Sequence, residues 1–113
     1  MQVLRNRADF KAAARGLRVR RRGFVLQARR RDDDGEARFG FTVTRKVGNA
    51  VVRNRIRRRL REVVRTVEDG AVASTDYVLI GRRAALTLSF SSLVDDLRAG
   101  LDEITKPARR DAR

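Results

Sequence analysis

Arginines stand at positions 53, 55, 57, 58, 59, 61 and 65, within a single short stretch of the chain. A guanidinium is a permanently charged planar fork. It grips phosphate through two parallel hydrogen bonds and stacks on a base. The chemistry of such a stretch is polyanion binding rather than bond breaking. Groups that break bonds are scarce. The sequence has no His and no Cys, which removes the commonest general acid–base, the commonest zinc ligand and all thiol chemistry. Hydrolysis carried by this chain alone would need a carboxylate–metal site or a Lys/Tyr system. The densest carboxylate run is Asp32-Asp33-Asp34 beside Gly35. It reads as a solvated turn, because adjacent turn residues do not by themselves converge into an oxygen cage. The sequence therefore predicts no catalytic residue and no metal site on the protein.

The overall charge agrees with a polyanionic partner. The 113 residues carry 28 Lys+Arg against 14 Asp+Glu, a net charge of +14 with a pI near 11.8. Only Lys11, Lys46 and Lys106 are lysines. Genomic base composition can convert Lys to Arg, but it does not create the net charge. Basic clusters fall at Arg18–Arg22, Arg29–Arg31, Arg53–Arg65 and Lys106–Arg113, and acids gather at Asp32–Asp34, Glu68–Asp69, Asp95–Asp96 and Asp102–Glu103. Segregation by sign implies one positive face, the footprint of a nucleic-acid binder. The length suits one domain, and 42% hydrophobic residues suffice for one modest core. No apolar run approaches the ~20 residues of a membrane span. Residues 1–10 carry Arg5, Arg7 and Asp9 and have no apolar stretch of the secretory type. These features predict a cytoplasmic protein with no membrane and no small-molecule partner.

The elements that position these groups follow from periodicity. Ala8–Arg15 reads as a short helix stopped by Gly16. Gly23–Ala28 reads as a strand and Asp32–Glu36 as a turn. Arg38–Thr44 alternates with period two, so Phe39, Phe41 and Val43 face one way and Gly40, Thr42 and Thr44 the other. These two strands are expected to form an antiparallel hairpin. Val47-Gly48-Asn49 breaks the pattern before a helix over 50–67, whose Val52, Ile56, Leu60, Val63 and Val67 form one apolar stripe. Asp76–Gly81 is a continuous apolar run of the kind found in internal strands. Ser89 caps a last helix near Phe90–Ile104. The order αββαβα gives a single-domain, two-layer α+β sandwich over residues 1–105, followed by a basic tail at 106–113.

On the long helix the arginines occupy most of the circle left by the apolar stripe. Only Glu62 offers an internal ion-pair partner. Like charges at Arg53/Arg57, Arg57/Arg61 and Arg61/Arg65 each destabilise a helix by a few tenths of a kcal/mol. Phosphate binding is the natural compensation. A solvated surface helix is the plainer reading, but such helices usually mix both signs.

The run Lys46-Val47-Gly48-Asn49-Ala50-Val51-Val52-Arg53-Asn54-Arg55-Ile56-Arg57-Arg58-Arg59-Leu60-Arg61 resembles the signature of the bacterial ribonuclease P protein component, built around its RNR motif. Arg38–Thr44, Asp76–Ile80 with Arg82-Arg83, and Asp9-Phe10 resemble the flanking segments, so the likeness covers about residues 4–101. The resemblance implies a fold similar to ribosomal protein S5 domain 2, with a left-handed β-α-β crossover. It implies a protein subunit that assists a catalytic RNA in removing the 5′ leader of precursor tRNA. The partners would be ribonuclease P RNA and precursor tRNA, and the catalytic Mg²⁺ would be held by the RNA.

Two sets of residues carry over by resemblance. Arg53, Asn54, Arg55, Arg57, Arg58 and Arg61 would contact the catalytic RNA, although Asn54 or Arg55 could instead serve a local cap or ion pair. Phe10, Thr42, Thr44, Arg45, Lys46, Arg82 and Arg83 would bind the single-stranded leader, Phe10 by stacking. Ordinary core packing is the alternative for Phe10. The family often has aromatics where this chain has Ala14 and Gln27, which shifts leader binding from stacking toward charge. A small structural RNA-binding protein, such as a ribosomal protein, shares the composition but has no reason to carry the motif.

Overall fold

The structure, a computed structural model, describes residues 1–105; the expected basic tail lies outside the described residues. In chain order the elements are β1 (Gln2–Val3), α1 (Arg7–Ala14), β2 (Leu17–Arg20), β3 (Phe24–Arg30), β4 (Arg38–Thr42), α2 (Ala50–Val67), β5 (Thr75–Gly81) and α3 (Phe90–Thr105). Single 3-10 turns follow β4, α2 and β5, at Arg45–Val47, Glu68–Gly70 and Arg83–Leu86.

Each helix starts where a side chain satisfies an orphan backbone N–H. Asn6 Oδ1 accepts from Ala8 N–H at 2.8 Å, Asn49 Oδ1 from Val52 N–H at 3.0 Å, and Ser89 Oγ from Ser92 N–H at 3.1 Å. The Asn49 cap matters most, because it fixes where the arginine helix begins.

The strands form one sheet in the order β1-β4-β5-β3-β2. β5 lies at the centre, parallel to β4 and antiparallel to β3. The hairpin expected between β3 and β4 is therefore not formed. The most apolar strand takes the central place and separates them. The loop that was to close the hairpin instead wraps the start of β5, where Arg31 N–H donates to Ser74 O at 2.7 Å and Ser74 N–H to Gly35 O at 2.8 Å. Two further strands, β1 and β2, extend the sheet beyond the elements read from periodicity.

The β4-α2-β5 unit joins neighbouring parallel strands, and its hand follows from the register. The Phe39 carbonyl accepts from Leu4 N–H at 2.8 Å, so it points toward β1. The Phe39 side chain packs into the cluster that contains the α2 residues. On a strand running upward, an L residue whose side chain faces the viewer points its carbonyl to the right. Seen from the α2 side, β1 thus lies to the right of β4 and β5 to its left. A chain that rises along β4, returns through α2 in front and rises again on the left makes a left-handed crossover. About 98% of such units are right-handed, so this one is an exception, as the family resemblance implies.

One sheet face holds the main core. Phe24, Leu26, Phe39, Tyr77 and Leu79 pack with Ile56, Leu60, Val63 and Val67 of α2 and Leu93, Leu97 and Leu101 of α3. Phe39 and Tyr77 stack at 5.1 Å between ring centroids. The opposite face is covered in part by α1, where Leu4, Ala13 and Val78 form a second cluster with Phe10 and Ile80 against it. The rest of that face stays open.

Candidate nucleic-acid interface

The apolar stripe of α2 turns inward and leaves its arginines on the outer side. Ile56, Leu60, Val63, Val64 and Val67 are buried, while Arg55 and Arg58 are exposed and Arg53, Arg57 and Arg61 half-buried. Several of these groups have local duties. Arg57 donates to Asn54 Oδ1, and Arg65 pairs with Glu62. Arg53 Nε donates to Asn49 O at 3.4 Å. The Arg61 guanidinium lies 5.3 Å from the ring centroid of Phe41, a cation–π contact. Arg59 donates to Leu88 O at 2.8 Å and so ties α2 to the start of α3. Arg55 and Arg58 have no acidic partner among the described residues. Asn54 thus accepts from a neighbouring guanidinium and serves neither a helix cap nor an ion pair, and Arg55 makes no ion pair among the described residues.

The leader-type residues gather around the open sheet face and one end of the sheet. Phe10 of α1 lies over β4 at Gly40, where a built Cβ would come within 2.6 Å of its ring. Glycine at this position lets the aromatic ring rest directly on the strand. Thr42 is half-buried, two residues further along the same face. Thr44, Arg45 and Lys46 are exposed just beyond it. Because β4 and β5 are parallel, Arg82 and Arg83 leave the sheet at that same end. Arg83 donates to Val47 O at 2.7 Å, pinning the approach to α2. Arg82 faces another way, into a recess it shares with Arg20, Arg21, Arg22 and Asp96. Arg82 N–H donates to Gly23 O at 2.9 Å, which places the β2–β3 turn at this end too.

The opposite end of the sheet is where most of the carboxylates sit. Asp76 is buried and accepts from Arg31 at 2.6 Å and from Arg38 at 2.8 Å. Arg38 also reaches Asp9 of α1 at 3.4 Å. Asp33 accepts from Arg31 and from Gly35 N–H, both at 2.9 Å. The Arg31 hydrogen bond and then the Gly35 N–H lower the Asp33 carboxyl to about 2. The triplet is thus a turn with an ion pair. No group of three or more His, Cys, Asp or Glu among the described residues could hold a metal ion. Arg31 and Arg38 are thus ion-paired at this end, whereas Arg45, Lys46, Arg82 and Arg83 at the other end form no ion pair among the described residues.

A family model described as Ribonuclease P matches residues 1–105. The chain belongs to the ribonuclease P protein family. The ribonuclease P protein component of Gluconacetobacter diazotrophicus is 57% identical over 100 residues, spanning 87% of this chain and 86% of that protein. That of Erythrobacter litoralis is 48% identical over 100 residues, spanning 88% and 82%. The solved structure of the ribonuclease P protein from Thermotoga maritima superposes with a TM-score of 0.77 at 28% identity, covering 92% of this chain and 98% of that one. The Staphylococcus aureus protein gives 0.70 at 28% identity, covering 96% and 95%.

Within this ribonuclease P fold, the structure adds two features to the reading of the sequence. The first is β2, which sets Arg18 and Arg20 on the same sheet face as Thr42. The alternation Leu17-Arg18-Val19-Arg20 carries that signal but is hidden within a basic cluster. The second is Gln27, only 3% exposed, on the open-face side of β3, whose side chain makes no hydrogen bond among the described residues.

Proposed function

We propose that this chain is the protein subunit of ribonuclease P and assists endonucleolytic removal of the 5′ leader from precursor tRNA. The observation that carries the reading is α2. It is a left-handed crossover helix, capped by Asn49, that presents Arg55 and Arg58 without acidic partners among the described residues, in a chain whose family match spans residues 1–105. In this reading Arg53, Asn54, Arg55, Arg57, Arg58 and Arg61 face the catalytic RNA. Asn54 orients Arg57, and Arg61 is braced on Phe41, so fewer side-chain rotamers are frozen on binding.

The open sheet face takes the leader. Phe10 supplies a stacking surface, Thr42 and Thr44 offer hydroxyls to the sugar–phosphate backbone, and Arg45, Lys46, Arg82 and Arg83 neutralise phosphates at the sheet end. Arg83 is already committed to Val47 O, so its further share is the N–H groups that bond leaves over. The catalytic Mg²⁺ is assigned to the RNA, where it would supply the activation of water and the stabilisation of the leaving oxygen. The protein's contribution is binding and orientation. Such a subunit works in the cytoplasm. No helix among the described residues is long and apolar enough to cross a membrane.

The test compares precursor and mature tRNA as ligands of the reconstituted holoenzyme. The reading predicts that the protein tightens binding of the precursor selectively, and that Phe10→Ala erodes this preference by about 1–3 kcal/mol. Equal enhancement for mature tRNA would favour a general structural RNA binder of the ribosomal kind.

A further inference from the structure

The arginine face of α2 continues beyond the helix. Past Arg55 and Arg58 lies an open groove of ≈ 450 Å³, lined by Arg55, Arg58, Arg59, Glu62, Leu86 and Phe90. Phe90 is the first residue of α3 and is 41% exposed. Phe24 and Phe39 lie in the core and Phe10 and Phe41 are half-buried, so Phe90 alone of the phenylalanines is exposed. Arg59 fixes the groove's inner wall through its bond to Leu88 O, and its Nε is enclosed without a partner. Glu62, the one carboxylate in the groove, is engaged by Arg65. The groove thus joins an aromatic face, an apolar floor at Leu86, and two guanidinium forks that lack acidic partners among the described residues.

These are the complements of one unpaired nucleotide. Its base offers a π-face to the ring, and the phosphates on either side offer oxygens to the forks. A duplex cannot supply this, because its bases are stacked on each other. We propose that Phe90 is a stacking platform for an unstacked base of the catalytic RNA, with Arg55 and Arg58 holding the flanking phosphates. The proposal rests on the reading of α2 as the catalytic-RNA surface and extends that surface to α3. A protein segment docking on Phe90 is the competing occupant, but a cationic rim favours the nucleotide.

The chain contains no Trp, so Phe90→Trp places a single indole in the groove. The protein is titrated with ribonuclease P RNA while complex formation is followed independently by anisotropy of the labelled RNA. Indole emission should be quenched in step with complex formation. Phe90→Leu, which keeps apolar bulk beside Leu86, should bind the RNA about ten-fold more weakly. Its slope of log K on log salt should stay that of the parent, because stacking releases no counterions. Arg58→Gln should make that slope shallower by about 0.7–0.9. Thermal melts of both variants separate these effects from loss of fold. A complex that forms with unchanged indole emission, together with parental affinity in Phe90→Leu, would overturn the proposal and leave the α2 reading standing. Failure of the parent chain to bind the RNA at all would overturn both.

Discussion

Asp76→Asn probes the buried ion pairs that join β5 to Arg31 and to Arg38 of β4, and their size can be worked from the structure. Asp76 is fully buried. Its Oδ1 accepts from Arg31 at 2.6 Å and from Arg38 Nε at 2.8 Å, and its Oδ2 accepts from Arg38 at 2.8 Å. Burial opposes ionisation and is the largest single influence on the carboxyl. The hydrogen bonds from Arg38 and then Arg31 together outweigh it and hold the group below the usual Asp range. An Asn of the same shape removes the charge and turns an amide NH₂, which cannot accept, toward a guanidinium. Removing one partner of a buried pair costs about 3–5 kcal/mol. Here Arg31 keeps Asp33 and Arg38 keeps Asp9, so the low end applies, about 3 kcal/mol. That is a large part of a typical ~5–15 kcal/mol of stability.

The same contact has a pH signature. With its pKa lowered on folding, Asp76 is protonated in the unfolded chain before it is protonated in the native one. Its stabilisation is complete above the unfolded value near ~3.9 and drains away as pH falls toward the lower native value. The variant has no carboxyl there, so the gap between parent and variant should narrow in acid. Urea unfolding followed by circular dichroism, from neutral pH down to about pH 3, measures it. A gap under about 1 kcal/mol at neutral pH, or one that does not change in acid, would refute this account of how Asp76 acts.

Two further outcomes follow from the open face. In Gly40→Ala the new Cβ would stand 2.6 Å from the Phe10 ring and 3.2 Å from Leu4 Cβ. The ring tip must swing off the strand, so precursor-tRNA preference should fall several-fold while affinity for the catalytic RNA holds, and equal losses in both assays would contradict it. With Ala14 exposed and Gln27 on the floor, so that neither position offers an aromatic face, leader binding should weaken steeply with salt, by about −0.7 in log K per neutralised phosphate; salt-resistant leader binding would count against this.

Much of this architecture was legible because it is local. The bounds of α2 follow from the break at Val47-Gly48-Asn49 and a stripe at helical spacing, and β5 announced itself as an apolar run. The pairing of strands was not legible in the same way. Nothing within β3 or β4 says that β5 will enter between them, and the ion pairs that seal the arrangement join Asp76 to residues 38 and 45 positions away. β1 is too short to carry a period. The crossover's hand lies in the carbonyl direction of Phe39, which depends on the pairing and so is invisible until the sheet exists. The arginine surface was plain from one helix, whereas the Phe90 groove is built by two elements that Arg59 draws together across 29 residues.

The most direct measurement is precursor-tRNA cleavage at low Mg²⁺ with protein alone, ribonuclease P RNA alone, and both together. The account predicts that only the mixture cuts, at the mature 5′ end, and that Arg55→Gln with Arg58→Gln weakens assembly without moving the cut site. Cleavage by the protein alone, or no change when protein is added to the RNA, would contradict it.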